Sequence, residues 1–141
     1  MSRRWQLSLV LAASVLLLVP SLGGGAEPLL IAVASEGQES TSLVSDFAGR
    51  SRHYLLFSGT DFIQALQNPF LDKGRGAVPD VADYLARKGV GLLVAGRFGP
   101  FMIEALDRKG IKYFPFSGPS QEAAARVVNS MRPPSSPPVN R

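Results

Sequence analysis

Apolar residues along the chain fall into short runs that are separated by polar segments containing glycine or proline. The run from Pro28 to Ser35 is almost wholly apolar and includes branched residues, which favours a buried central strand. The segments HYLLFS and FIQALQ flank Gly59-Thr60-Asp61 and predict two strands joined by a hairpin. Two further apolar runs, VGLLVAG and IKYF, predict the remaining strands of a sheet.

Three other segments carry apolar residues at helical spacing. One covers residues 78–88, and the next covers residues 99–110, with a proline in its first turn and Gly110 at its carboxyl cap. The third covers residues 120–131, with Ser120 as the expected N-cap. The order of elements predicts an α/β domain with a mostly parallel sheet and one antiparallel hairpin strand.

In this topology the loops after the first, third, fourth and fifth strands emerge at one edge of the sheet, where α/β proteins commonly bind ligands. Glycines in such loops let main-chain amides approach a ligand, and arginines add charge and forked donors. The same glycines also suit turns that serve only the fold, and this alternative stays open. Read as a site, the loops predict an anion-binding region with these residues: Gly49, Arg50, Gly74, Arg75, Gly76, Gly96, Arg97 and Gly99.

Catalytic and metal-binding patterns are sparse in the sequence. It contains no cysteine and a single histidine, His53, so it offers no thiolate and no clustered metal-ligand spacing. No phosphate-binding P-loop, dinucleotide fingerprint or nucleophile elbow occurs. The acidic pairs Asp80/Asp83 and Glu104/Asp107 each share a helix face and are expected to be solvated. These observations predict a protein without enzymatic activity, with a small hydrolase as a distant alternative.

The amino end has the pattern of an export signal. Ser2-Arg3-Arg4 precedes an apolar run from Leu7 to Val19, and small residues follow as far as Ala26. This pattern predicts a secretory signal peptide over residues 1–26 and a mature protein in the periplasm without a membrane span. The general export route is favoured over the twin-arginine route, and an uncleaved membrane anchor is the alternative.

Removal of the signal changes the charge and argues against a nucleic-acid partner. Residues 1–26 hold two of the 15 basic residues and none of the 11 acidic ones, so the remainder carries only about +2. No basic helix or aromatic-basic stripe is present in the sequence. The Pro/Ser-rich carboxyl end predicts a disordered tail over residues 131–141, which leaves residues 27–130 as the folded domain.

Three stretches together carry a resemblance to a known family: VSDFAGRSRHYLLF, NPF…GRGAVPDVADYLARKGVGLLVAGRFGP and IEALDRKGIKYF…SGPSQEAA. The chain resembles the dinitrogenase iron–molybdenum cofactor biosynthesis family, which includes NifX-type proteins and the carboxyl-terminal domain of NifB-type proteins. The resemblance runs from Leu30 to Val128. It implies a ribonuclease H-like three-layer α/β fold with a mixed five-stranded sheet flanked by helices. It also implies a non-catalytic protein that holds an anionic cluster of the iron–sulfur or iron–molybdenum type.

Two features depart from the family pattern. Family members often carry His-Phe-Gly-Arg where this chain has Phe47-Ala48-Gly49-Arg50, so a histidine that could touch a metal is replaced. An export signal is also unexpected for a nitrogenase assembly factor. We therefore expect an exported carrier of an anionic metal cofactor or a related small anion. The alternative is a periplasmic adaptor that contacts a redox or cofactor-assembly protein through Phe98, Phe101 and Phe116.

Overall fold

The computed structural model describes residues 28–133, except for the side chain of Arg75. The strands are β1 (Leu30–Ser35), β2 (His53–Ser58), β3 (Asp61–Gln67), β4 (Leu92–Ala95) and β5 (Lys112–Pro115). The helices are α1 (Val78–Arg87), α2 (Pro100–Arg108) and α3 (Ser120–Met131), and a 3₁₀ segment covers Leu71–Ala77. No helix within residues 28–133 is long and apolar enough to cross a membrane.

The predicted signal peptide, residues 1–26, and residues 134–141 of the predicted tail lie outside the described residues. Helix α3 includes Met131, which is the first residue of that predicted tail.

The five strands form one mixed sheet in the order β3-β2-β1-β4-β5. Strand β1 pairs antiparallel with β2 and parallel with β4, while β3 pairs antiparallel with β2 and β5 parallel with β4. The predicted mixed α/β sheet is therefore confirmed. The carboxyl ends of β1, β3, β4 and β5 all lie at the same edge of this sheet.

Helices cover both faces of the sheet, as the three-layer prediction requires. Side chains from one face of the strands pack against α1 and α2, including Ala32, Ala34, Tyr54, Leu56, Leu93, Val81, Leu85, Met102 and Leu106. Side chains from the other face pack against α3, including Ile31, Val33, Leu55, Phe57, Val94, Ala123, Ala124 and Val127. Strand β1 is apolar from Leu30 to Ala34 because it contributes to both of these cores.

Two local predictions are wrong. The segment around Gly74 was expected to be an open loop, but it forms a 3₁₀ segment that is interrupted only at Gly74, where φ is 64°. Ser120 was expected to be an N-cap, but Pro119 occupies that position and Ser120 begins the helix. The hydroxyl of Ser120 instead donates to the main-chain carbonyl of Ser42 at 2.6 Å, because its buried side chain faces the loop after β1.

Candidate functional site

The loop after β1 and the loop after β4 meet at the carboxyl edge of the sheet. The main-chain amides of Gly96 and Arg97 donate to the carbonyls of Ser45 and Asp46, each at 2.8 Å. Phe47 and Arg97 then pair in a short parallel bridge. Two loops that were predicted to converge therefore hold each other through main-chain hydrogen bonds.

The contact explains why glycine stands at position 96. A Cβ at this position would lie 2.8 Å from Oδ1 and 2.9 Å from Cα of Asp46, which is too close for any residue with a side chain. The amide of Gly96 is used by Ser45 and its Cα is covered by the neighbouring loop. The structure thus gives Gly96 a role in loop packing.

Tyr54, which lies in the core, holds the middle of the loop after β1 through a hydrogen bond. Its phenol is fully buried and donates to the carbonyl of Ala48 at 2.6 Å. Burial raises the pKa of the Tyr54 phenol well above its ordinary value of 10.0. The neutral phenol therefore serves as a hydrogen-bond donor that positions the main chain next to Gly49 and Arg50.

Asn68 connects the same loop to the segment that follows β3. Its side-chain amide donates to the carbonyl of Ser51 at 2.9 Å, and its side-chain oxygen accepts from the amide of Phe70 at 2.9 Å. Asn68 is 6% exposed, so both bonds are shielded from water. The start of the 3₁₀ segment is therefore held at a fixed position relative to Arg50.

These loops border a cleft of about 1190 Å³ that lies between α1 and α2. Six of the eight predicted site residues line it: Gly49, Arg50, Gly74, Gly76, Arg97 and Gly99. Gly96 is not among the lining residues, and the side chain of Arg75 lies outside the described part of the chain. Further lining residues come from the two helices and the aromatic positions beside them: Phe47, Val78, Pro79, Ala82, Phe98, Phe101, Met102, Glu104, Ala105, Arg108 and Lys109.

The floor of the cleft is apolar. Met102 is 3% exposed and its methyl group lies 3.5 Å from the point where a Cβ on Gly49 would stand. Val78 lies even closer to that point, at 3.3 Å, so a side chain at position 49 would crowd the cleft wall. The absence of a side chain on Gly49 keeps this part of the floor open.

Positive charge surrounds the mouth of the cleft. Arg50 and Arg97 are exposed, and neither forms a salt bridge with an acidic residue in the described part of the chain. The guanidinium carbon of Arg50 lies 4.9 Å from the ring centre of Phe47, which keeps this arginine beside the opening. Since neither guanidinium group has an acidic partner within residues 28–133, both can contact an anion.

Sequence reasoning missed two of the cations at the cleft. Arg108 and Lys109 line it from the end of α2, although Arg108 is paired with Glu104 and Lys109 with Asp83. Cations at the end of a helix commonly complement the helix dipole, so no separate signal in the sequence indicates that these two residues also line the cleft. The spacing of Phe101, Ala105 and Arg108 at intervals of four and three residues is the signal that could have placed them on one face.

Two other candidates lie on the opposite face of the sheet. Neighbouring residues of a strand point to opposite faces, so His53 lies on the α3 side because Tyr54 packs against α1 and α2. Its Nδ1 is buried and has no hydrogen-bond partner among the described residues. Phe116 also packs into the core on the α3 side, so it does not join Phe98 and Phe101.

The donor set decides what kind of ligand the cleft suits. Within residues 28–133, no group of three or more histidine, cysteine, aspartate or glutamate side chains could hold a metal ion. Among the described residues, those lining the cleft offer guanidinium groups, an ammonium group and a single carboxylate, that of Glu104. Such donors fit an anion that already has its own metal ligands, and they do not fit a bare cation.

Comparisons with known proteins agree with this fold. The sequence model of the family described as dinitrogenase iron-molybdenum cofactor matches residues 28–131. The apo form of the orange protein from Desulfovibrio gigas is 25% identical with a TM-score of 0.68, covering 79% of this chain and 97% of that one. A NifB-like protein from Thermotoga is 28% identical with a TM-score of 0.61, covering 74% and 90%. A search among curated proteins gives no significant match.

Proposed function

Because this chain belongs to the dinitrogenase iron–molybdenum cofactor family, we propose that it is a non-catalytic carrier for an anionic metal cluster. The cluster, of the iron–sulfur or iron–molybdenum type, is the cargo and binds in the cleft between α1 and α2. The observation that carries this proposal is the position of Arg50 and Arg97 at the mouth of that cleft without acidic partners in the described residues. The family's association with this cofactor supports the same ligand class.

The size of the cleft favours a cluster over a small oxyanion. Pockets for small ligands commonly measure about 300–1000 Å³, and this one measures about 1190 Å³. A tetrahedral oxyanion would leave most of that space to water and would not reach the apolar floor formed around Met102. A sulfide-bridged cluster has a larger, more polarizable surface that can contact both the floor and the arginines.

Titration of the purified protein with a synthetic thiolate-ligated iron–sulfur cluster tests the proposal. We expect saturable binding that weakens as salt rises, because Arg50 and Arg97 are exposed and their charges are screened. Arg50→Ala and Arg97→Ala should each weaken binding about fivefold through loss of a charge-assisted contact. Arg126→Ala is the matched control, since Arg126 is an exposed arginine on α3 and does not line the cleft. No saturable binding, or equal affinity in the cleft variants and the wild type, would refute the carrier role.

The carrier is also proposed to act outside the cytoplasm. Support comes from the amino-terminal sequence, where Arg3 and Arg4 precede an apolar run and small residues lead to Ala26. Cell fractionation combined with the intact mass of the recovered protein tests this. A periplasmic protein beginning at Glu27 is the expected result, whereas a membrane-bound protein of full mass would favour the uncleaved anchor and a cytoplasmic one would refute export.

A second candidate function, a protein–protein adaptor, is favoured by the exposure of Phe101. This side chain is 76% exposed at the cleft mouth, and Phe47 across the opening is 50% exposed. Phe98 is less available because its ring packs against Tyr113 at 5.1 Å. An adaptor would retain its partner in a double Arg50→Ala, Arg97→Ala variant and lose it in Phe101→Ala. A carrier without a partner surface would capture no partner protein, either as the wild type or in these variants.

A further inference from the structure

The two edges of the sheet differ in how well they are protected from pairing with another strand. Strand β5 is only four residues long, carries exposed Lys112 and ends at Pro115. Short length, lysine and proline all discourage edge-to-edge pairing. Strand β3, at the other edge, has seven residues and no charge after Asp61.

Exposed apolar side chains accompany the uncharged edge of β3. Phe62 is 42% exposed and Ile63 is 51% exposed. The sequence from Phe62 to Leu71 contains no charged residue. A β-bulge places Ile63 outside the register with β2, and the stretch from Gln64 to Gln67 continues in regular pairing. Because a bulge also discourages edge pairing, only the regular stretch from Gln64 to Gln67 keeps main-chain groups available for a further strand.

Opposite charges lie at the two ends of the same edge. Asp61 begins β3, and Arg52 lies beside its far end, where the amide of Asn68 donates to the carbonyl of Arg52 at 2.9 Å. Both side chains belong to exposed residues, and neither forms an ion pair within the described part of the chain. An antiparallel pairing of this edge with itself places Asp61 of each copy at the end of β3 where Arg52 of the other lies one strand further in, within the length of an arginine side chain.

We infer that β3 pairs antiparallel with β3 of a second copy of this chain and forms a symmetric dimer with one continuous sheet. One end of the edge carries the negative charge of Asp61 and the other end the positive charge of Arg52. A two-fold arrangement therefore forms the Asp61–Arg52 contact twice. A strand from an unrelated protein would need to supply the matching charges itself. The cleft opens at the carboxyl edge of the sheet between α1 and α2, so both copies keep it accessible.

Sedimentation velocity over a concentration series tests the dimer, and a charge-reversal cycle tests its geometry. The wild type should dissociate on dilution. Asp61→Arg and Arg52→Asp should each weaken the dimer about tenfold, because each change places like charges together twice. The double variant should regain most of the wild-type affinity. Asp107→Arg, an exposed reversal on α2, should leave the dimer unchanged.

Ile63→Lys gives a second test that does not depend on the charge pair. It adds a cation to the exposed edge and should convert the protein to a monomer with unchanged circular dichroism. A wild type that stays monomeric at every concentration would overturn the inference. So would single reversals without effect, or a double reversal as weak as the single ones. Cluster titration of the Ile63→Lys monomer keeps this question separate from the carrier role, because the cleft does not include β3.

Discussion

The phenol of Tyr54 donates a hydrogen bond to the main-chain carbonyl of Ala48 across 2.6 Å, and both residues are buried. The bond joins the core of the sheet to the loop that presents Gly49 and Arg50 at the cleft. Its loss would therefore affect both the stability of the fold and the shape of the site.

We expect Tyr54→Phe to lower the free energy of unfolding by about 1–2 kcal/mol, since the Ala48 carbonyl is left buried without its donor. The cluster affinity should fall as well, because Arg50 would be held less firmly. Urea unfolding followed by fluorescence or circular dichroism measures the first effect. Tyr113→Phe is the control, as Tyr113 is 42% exposed and should cost much less.

The same phenol predicts a dependence of stability on alkaline pH. Burial raises the pKa of Tyr54 in the folded state, while the unfolded chain titrates near the ordinary value of 10.0. Its contribution is therefore complete below pH 10 and is lost progressively above it, because the unfolded state releases the proton first. The stability gap between wild type and Tyr54→Phe should narrow above pH 10 by up to about 1.4 kcal/mol per pH unit. Urea unfolding at one pH below 10 and one above it measures this difference in unfolding free energy. A difference that is the same at both pH values would contradict the prediction.

Much of the fold could be predicted because local signals agree with the tertiary arrangement. The apolar run of β1 matches a central strand with cores on both faces. Gly59 and Gly110 take positive φ values of 59° and 70° at the hairpin and after α2, as turn residues there should. The 3₁₀ segment around Gly74 was not predictable, because glycine-rich composition is equally typical of an open loop.

The candidate site was predictable at the level of loops and less so at the level of atoms. Arg50 and Arg97 follow strands that end at one edge, so their approach follows from topology. The amide of Gly96, expected to face a ligand, is instead bonded to Ser45. Ser45 lies far from Gly96 in the sequence, and no local sequence pattern predicts a main-chain hydrogen bond between two such distant residues. Arg108 was missed because its pairing with Glu104 resembles an ordinary helix-surface pair.

Two alanine substitutions should separate a packing glycine from one that borders open space. Gly96→Ala should destabilise the fold by about 2 kcal/mol, because its Cβ would meet Cα of Asp46 at 2.9 Å. Gly99→Ala meets nothing within 4 Å and has an ordinary φ of −71°, so its effect should not exceed about 1 kcal/mol, the cost of alanine at the N-cap of α2. Denaturant unfolding of both variants is the measurement. Equal stability of the two would contradict the assignment of Gly96 to loop packing.

Asn68→Asp should destabilise the protein by about 1–3 kcal/mol at neutral pH. The change keeps an oxygen that can accept from the amide of Phe70, but it removes the donor to the carbonyl of Ser51 and brings a buried carboxylate towards it. Asn129→Asp is the same chemical change at an exposed position and should have little effect. Thermal unfolding at pH 7 measures the melting temperatures of the two variants. Equal melting temperatures would contradict this role of Asn68.

The centre of the Phe47 ring lies 4.9 Å from the guanidinium carbon of Arg50. Phe47 is half exposed, so its main contribution should be to hold Arg50 beside the cleft and not to stabilise the core. Phe47→Leu should therefore weaken cluster binding about threefold with little change in unfolding free energy, because the exposed cation–π contact is lost. Phe47→Tyr keeps an aromatic ring and should bind as the wild type does. In an Arg50→Ala background the Phe47→Leu change should have no further effect on affinity, since the two side chains act as one unit. Independent, additive losses in this double-mutant cycle would show that Phe47 contacts the cluster itself.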